Sequence, residues 1–375
     1  MRDASPAERE RLLDDFVRLC EIESPSRRER AVADAVRAEL EELGLEVEED
    51  DSGQDTGSEC GNLLARVPGP EEDARTILLC AHLDTVPLDG PVEVVQQNGV
   101  LTNRHEAILG ADNKAAVATV LAAARRLAGE GSPVGVELLF TTCEEIALAG
   151  AKAVDRSRLR AEFGFVFDHA SPIGEIVVAS PTYYRLDADF RGKAAHAGIR
   201  PEDGRNAIAA AARAVAAMRI GRLDDVTTAN VGTIEGGSSA NVVAERCHVV
   251  LEARSLDDSR AGEVVSAMVD AATEAASDAE CDVETTVERH FRGYKLPRSA
   301  PAVEVAALAL ERRGIEPGYI QTGGGSDANA LITAGLPVVN LANGTERNHQ
   351  PDESVTTGAL ETMLDVTLAL VEVAG

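Results

Sequence analysis

Lysine is almost missing from this chain of 375 residues: only Lys114, Lys152, Lys193 and Lys295 occur among 36 Lys plus Arg positions. Basic residues as a class are outnumbered by 64 Asp plus Glu, for a formal net charge of −28. A surface this acidic repels nucleic acid and anionic membranes, which excludes both as partners. The acidic excess with scarce lysine fits a halophile's cytosol, where concentrated salt screens self-repulsion. Also absent is any apolar run of about 18 residues, the length that a membrane span requires. Met1 to Pro6 lead into a charged helix rather than the apolar stretch of a signal peptide, so a cytoplasmic location is expected. The six cysteines (20, 60, 80, 143, 247 and 281) form no C-x-x-C and no even framework. They are expected to be reduced thiols in or near a core, Cys143 included. There is no Walker-type G-x-x-x-x-G-K-[ST], no internal repeat and no low-complexity tract; 47–58 reads as an acidic loop.

What remains is ample for folding. Apolar residues make up 44% and charged residues 27%. The length exceeds what one core organises, which predicts two domains. Ser5-Pro6-Ala7-Glu8 gives a first helix its cap, its Pro at the first position and a reciprocal Glu. Ser26 and Glu29 predict a similar start for a second helix. Short apolar runs then alternate with helical stretches, at 77–80, 136–140, 163–167 and 336–341. This is the pattern of a mostly parallel or mixed sheet covered by helices on both faces, an α/β fold. From about 180 the strands alternate instead. The order β-α-β-β-α-β predicts an inserted ferredoxin-like α+β domain over 179–290, with 1–178 and 291–375 forming the larger domain.

Chemistry-bearing residues follow the apolar strands. His82 and Asp84 come after the first run, and Asp112 follows Gly110 and opens a helix. Glu144 and Glu145 come after 136–140, Asp168 after 163–167, and His349 after the last strand. Side chains just beyond the carboxyl ends of strands in an open α/β sheet line one crevice. Two imidazoles and several carboxylates there suit zinc or a similar divalent ion. Their number exceeds what one tetrahedral ion takes, which favours two ions sharing a carboxylate. Singly, each residue has a plain structural reading: a strand-end histidine, a solvated acidic loop, a surface histidine. Adjacent Glu144 and Glu145 cannot face the same way on a regular strand, so the chain is expected to turn there.

The residues also carry a resemblance. Ser24-Pro25-Ser26, G-N-L-L-A at 61–65, A-H-L-D-T-V-P at 81–87 and G-A-D-N-K-A at 110–115 occur in this order. E-E-I-A-L-A-G at 144–150, G-K-A-A-H-A-G at 192–198, G-G-S-D-A at 324–328 and Asn348-His349-Gln350 follow. Together they resemble the dizinc aminoacylase, carboxypeptidase and peptidase T superfamily, most closely the peptidase T-like aminopeptidases, over almost the whole chain. The resemblance implies two Zn²⁺ per subunit, with Co²⁺ or Mn²⁺ as substitutes. His82 and Asp168 would serve one ion, Glu145 and His349 the other, and Asp112, in a cis peptide with Asn113, would bridge both. Asp84 would orient the His82 ring or the surroundings of the bridging water, and Glu144 would be the general base that passes a proton from water to the leaving amine. His196 would stabilise the oxyanion at the partner subunit's site, implying a homodimer through the inserted domain. Asn241, Arg254, Gly324 and Ser326 would contact substrate.

The expected activity is hydrolysis of an amide bond in small peptides, as an aminopeptidase or tripeptidase. An N-acyl-amino-acid deacylase, a carboxypeptidase or a succinyl-diaminopimelate desuccinylase shares the same ligands, because the inserted domain selects the substrate. A nucleotide-binding protein, suggested by Gly323-x-Gly325-x-x-Ala328, or a binding protein with a decayed site, leaves the carboxylate crevice unexplained. The charge balance makes a first prediction: the unfolding midpoint rises steeply between low and molar KCl, and a flat response contradicts the halophilic reading.

Overall fold

A computed structural model describes residues 1–71 and 73–375. The chain divides into two compact units, Met1–Val178 with Lys295–Gln321 and Ser326–Gly375, and Ala179–Tyr294 with Thr322–Gly325. Among the described residues no helix is long and apolar enough to cross a membrane.

The larger unit is built on a mixed sheet. Its order runs Val47–Glu49, Leu63–Val67, Gly135–Thr141, Thr76–His82, Phe163–His169, Val338–Ala342 and Glu175–Ser180. The middle pairings are parallel, and the flanking ones antiparallel. Gly135–Thr141 is buried at every position, the burial expected of a strand covered on both faces. The register sets His82 opposite Thr141 and Cys80 opposite Val166, so three neighbouring strands finish at nearly one level. Helices Pro6–Cys20, Arg30–Glu42, Ala111–Glu130, Pro301–Arg312 and Thr357–Ala374 supply the apolar cover.

The first helix starts as its sequence predicts, with Ser5 and Glu8 forming a reciprocal capping box. The second does not. Its N-cap is Glu29, without a side-chain cap bond, because Ser26 and Glu29 are drawn instead into the strand-end network described below. The acidic stretch 47–58 is also more than a loop. Val47–Glu49 pairs with Leu63–Val67, and Ser52–Thr56 forms a short helix.

The smaller unit carries a five-stranded antiparallel sheet, with helices Ala207–Ala217 and Asp258–Asp278 packed in its core. The strand order is Gly221–Asp224, Thr227–Gly236, Arg246–Ser255, Thr182–Arg191, Asp282–Phe291. Four of these strands and both helices give the ferredoxin-like arrangement; Gly221–Asp224 is an additional hairpin strand. Strand Arg246–Ser255 alternates strictly between exposed or half-buried and buried positions, as one-sided burial demands.

Arginine does the ionic work that lysine leaves undone. Arg126, its side chain only 1% exposed, grips Glu8 through Nε and Nη2 at 2.6 Å each and also donates to the Arg2 carbonyl at 2.7 Å. Chiefly through that hydrogen bonding, the Glu8 carboxyl is held down to about 2. Arg126→Ala removes the fork, its packed stem and the anchor of the N-terminal segment. It is expected to cost about 3 kcal/mol in chemical denaturation; a loss under about 1 kcal/mol, the scale of an exposed pair, would contradict this.

Candidate metal centre

Strand Thr76–His82 ends by delivering the His82 ring into a buried rim. The ring Nε2 lies 3.3 Å from Asp112 Oδ1 and 3.7 Å from Asp168 Oδ1. On the other side of Asp112, His349 Nε2 lies 3.2 Å from Oδ2 and 2.9 Å from Glu145 Oε1. Ligand atoms of His82, Asp112 and Glu145 lie within 4.8 Å of one another, as do those of His82, Glu144 and Asp168. Asp112 thus stands between the two histidines, one carboxylate oxygen toward each. Its peptide bond with Asn113 is cis.

The turn after Thr141 separates the two glutamates. Cys143, Ala147 and Leu148 have φ of 55°, 67° and 62°, left-handed values that non-glycine residues keep only where surroundings enforce them. A buried carboxylate holds Cys143, and main-chain bonds from Leu148 N–H to the Glu144 carbonyl at 2.8 Å and from Ala149 N–H to the Cys143 carbonyl at 2.9 Å close the turn around the other two. Asp84 accepts the Glu144 N–H on Oδ1 at 2.9 Å and the Glu145 N–H on Oδ2 at 3.1 Å, and Ser26 Oγ donates to Oδ2 at 2.6 Å. Glu29 accepts the Cys143 N–H at 3.0 Å and the thiol at 3.3 Å. Gly150 closes the turn, its N–H donating to the Thr142 carbonyl at 3.1 Å; a Cβ at Gly150 would sit 2.1 Å from that oxygen. The His82 ring is oriented through Nδ1, 3.0 Å from the Asp84 main-chain carbonyl and 3.5 Å from its Oδ1.

Electrostatics show what the donor set requires. Burial pushes the Glu144 carboxyl well up, helped by the charge of Asp168. Burial likewise lifts Asp168 to about 7 and raises Glu145. Hydrogen bonds to Asp112 and Glu145 lift His349 to about 10, and burial of the His82 ring is overcome by Asp112, Asp168 and Asp84, which hold it well up. Both imidazoles therefore stand in for cations among crowded carboxylates. Two imidazole and several carboxylate donors around a shared aspartate fit divalent ions such as zinc.

Comparison with known proteins agrees. The profile of Peptidase family M20/M25/M40 matches residues 78–373. The chain belongs to this family. It is a metallopeptidase in class, a metal-binding hydrolase. It is 37% identical to the Bacillus subtilis (strain 168) protein YqjE over 364 residues, 96% of this chain and 98% of that one. The aminopeptidase PepT of Bacillus cereus ATCC 10987 superposes with a TM-score of 0.87 at 36% identity, over 98% of both chains. A tripeptidase of Staphylococcus aureus gives 0.91 at 31% identity, again over 98% of both.

Of the sequence-predicted residues, His82, Asp84, Asp112, Glu144, Glu145, Asp168 and His349 converge at this M20 rim. His196, Asn241, Arg254 and Gly324 belong to the smaller unit. His196 is exposed, and its Nδ1 accepts the Gly198 N–H at 3.2 Å, which leaves the ring proton on Nε2. Asn241 lies beside it, its carbonyl accepting the Ala197 N–H. Arg254 lies over the Tyr183 ring at 4.3 Å, pairs with Glu252 at 3.0 Å and donates to the Gly323 carbonyl at 3.3 Å. Gly324 accepts from Ser180 Oγ at 2.9 Å. Ser326 is buried in the larger unit, where it forms a capping box with Asn329.

Several rim residues had no functional reading in the sequence. Asn340 spans the Asp168 main chain, accepting its N–H and donating to its carbonyl at 2.9 Å each. Lys114, fully buried, donates to Ser24, which donates to the Leu83 carbonyl; burial lowers its ammonium to about 8. Asp327 pairs with Thr141 while its Oδ1 is buried without a partner, and burial lifts it to about 6. Lys114 and Asp327 stand within G-A-D-N-K-A and G-G-S-D-A, whose other residues carry the resemblance, and Asn340 stands in an apolar strand that reads as core.

The His349 shift predicts proton release. Its contacts with Asp112 and Glu145 favour the metal-free fold below the ordinary imidazole pKa and are lost as pH rises through about 10. At pH 7 the ring must shed its proton to ligate, so metal binding is expected to release protons. Calorimetric titration in buffers of different ionisation enthalpy measures it; equal heats would contradict the assignment.

Proposed function

We propose that the chain is a dizinc peptidase of small peptides, acting as an aminopeptidase or tripeptidase. The carrying observation is the sharing of Asp112 between His82 and His349, which arranges two ligand sets around one carboxylate. His82, Asp112 and Asp168 would hold one ion, and Asp112, Glu145 and His349 the other. Bound there, the two divalent ions would polarise the scissile carbonyl and lower the pKa of the attacking water.

The remaining work falls to this chain's own residues. Glu144, desolvated so that its carboxyl retains a proton more readily than an exposed one, takes the proton from water and delivers it to the leaving amine. Asp84 keeps Glu144 and Glu145 apart by holding both of their main-chain N–H groups. His196, with its proton on Nε2, offers a donor to the developing oxyanion of the partner subunit's site. The larger unit is then the catalytic domain, and the smaller one the lid through which two chains pair. Asn241, Arg254 and Gly324 would meet substrate there, with Arg254 suited to a carboxylate. Ser326 would contribute through the main-chain segment that leads into Asp327–Thr333, the helix it caps. The similarity to an aminopeptidase PepT and a tripeptidase supports the peptide reading.

A panel of tripeptides, dipeptides and acylated amino acids, assayed with metal analysis, tests it. Turnover of acylated amino acids alone would give the deacylase reading precedence. Glu144→Ala is expected to retain both ions and lose about a hundredfold or more in kcat; loss of an ion would make Glu144 a ligand. His196→Ala is expected to lower kcat at unchanged metal content, and mixing the two variants to restore partial activity through heterodimers. An unchanged kcat in His196→Ala would remove His196 from the reaction, and no restoration would contradict its action at the partner subunit's site.

A further inference from the structure

We infer that Glu353 is a positioning residue of the metal centre: its carboxylate fixes the main chain from Leu109 to Asp112 and thereby sets where Asp112 presents its own carboxylate. The inference rests on the reading of Asp112 as the shared ligand. Glu353 is 1% exposed and lies 241 residues along the chain from Asp112. Its Oε2 accepts N–H groups from Leu109 at 2.8 Å and Gly110 at 2.7 Å, and its Oε1 accepts the Asp112 N–H at 2.9 Å.

Those three donors belong to the entry of helix Ala111–Glu130, where Gly110 takes a left-handed φ of 77° and Asp112 and Asn113 depart from helical dihedrals. A helix start leaves N–H groups without internal partners, and an irregular one leaves their direction unset. Glu353 sets it from outside, with both oxygens used. Glu353 also closes the loop that carries His349. Its own N–H donates to the Gln350 carbonyl at 3.0 Å, while Asn348 Nδ2 donates to Asp112 Oδ2 at 2.8 Å and His349 Nε2 lies 3.2 Å from the same oxygen. Residues 348–353 therefore take hold of Asp112 by its side chain and its main chain together. The bridging carboxylate and the histidine of the second ion are set by one loop, so displacement of the Asp112 main chain affects both ions.

Partners that orient a ligand are worth about 10–100-fold in metal affinity. Glutamine is nearly the shape of glutamate but offers one acceptor oxygen, so in Glu353→Gln an NH₂ group faces at least one of the three N–H donors. Full-length wild type and Glu353→Gln, both metal-free, are titrated with Zn²⁺ against a chromophoric chelator, and Co²⁺ loading is followed by its visible absorption. The expected result is a folded Glu353→Gln chain with at least a tenfold weaker affinity for both ions and an altered Co²⁺ spectrum. Glu353→Asp, which keeps two acceptor oxygens on a shorter stem, is expected to fall between the two.

A Glu353→Gln chain with wild-type affinity and an unchanged spectrum overturns the inference, even if its melting temperature drops. A wild type that binds no ion overturns the metal reading and this inference with it. A wild type that takes two ions beside an equally competent variant overturns the positioning role alone. Should neither variant fold, hydrogen exchange in metal-free wild type decides. Leu109, Gly110 and Asp112 amides protected like the helix that follows support the role, and exchange at open-loop rates overturns it.

Discussion

Charge crowded into a largely buried rim is the constraint from which the rest of this molecule follows. Asp84, Asp112, Glu144, Asp327 and Glu353 are all buried at the carboxyl ends of the central strands, with Glu29 beneath them. Lys114 is the buried ammonium among them. Like charges at such separation, away from water, cannot all remain ionised unless cations join them. The raised carboxyls of Glu144, Glu145 and Asp168 and the raised imidazoles of His82 and His349 are two faces of that imbalance. A fold selected for stability alone would place apolar groups here. Retaining the carboxylates is sensible where divalent ions complete the charge balance, as the family to which the chain belongs implies.

Much of this was legible in the order of residues. The apolar runs at 77–80, 136–140 and 163–167 became neighbouring strands, and the groups just beyond them met because strand ends in such a sheet face one crevice. The turn between Glu144 and Glu145 followed from period-two geometry. The ferredoxin-like unit was visible as a change from continuous to alternating burial. What was not legible depended on distant partners. Ser26 and Glu29 have the spacing of a helix cap, and local chemistry alone favours that reading. Tertiary contacts with Asp84 and Cys143 outbid it, since a buried carboxylate gains more from a fixed N–H than an exposed cap would supply. Glu353 stands in a polar stretch that resembles surface, and nothing local says that its side chain points inward. Asn340 hides within an apolar strand for the opposite reason.

A common device unites four buried side chains around the rim, two of which, Asn340 and Glu353, had no functional reading in the sequence. Glu29, Asp84, Asn340 and Glu353 each bind main-chain groups next to a residue that faces the rim. Rims of parallel sheets are built from loops, and loops have few ladder bonds to hold them. Side-chain acceptors replace those bonds and also satisfy N–H groups that would otherwise be buried unpaired. Substitutions at these positions would therefore alter geometry first and composition of the site not at all.

The helix Ala111–Glu130 gives this arrangement its permanence. Every residue from Ala111 to Ala124 is buried, and most of them are alanine, valine or threonine, so the helix is wrapped on all sides rather than laid against one. Small side chains leave little rotamer freedom to freeze, and a segment enclosed in this way opens only when the whole unit does. The aspartate at its head is thus ordered during folding, before any ion arrives. Ions entering afterwards meet a receptor whose conformational entropy has already been surrendered, so that little of their binding energy is diverted into organising the protein around them.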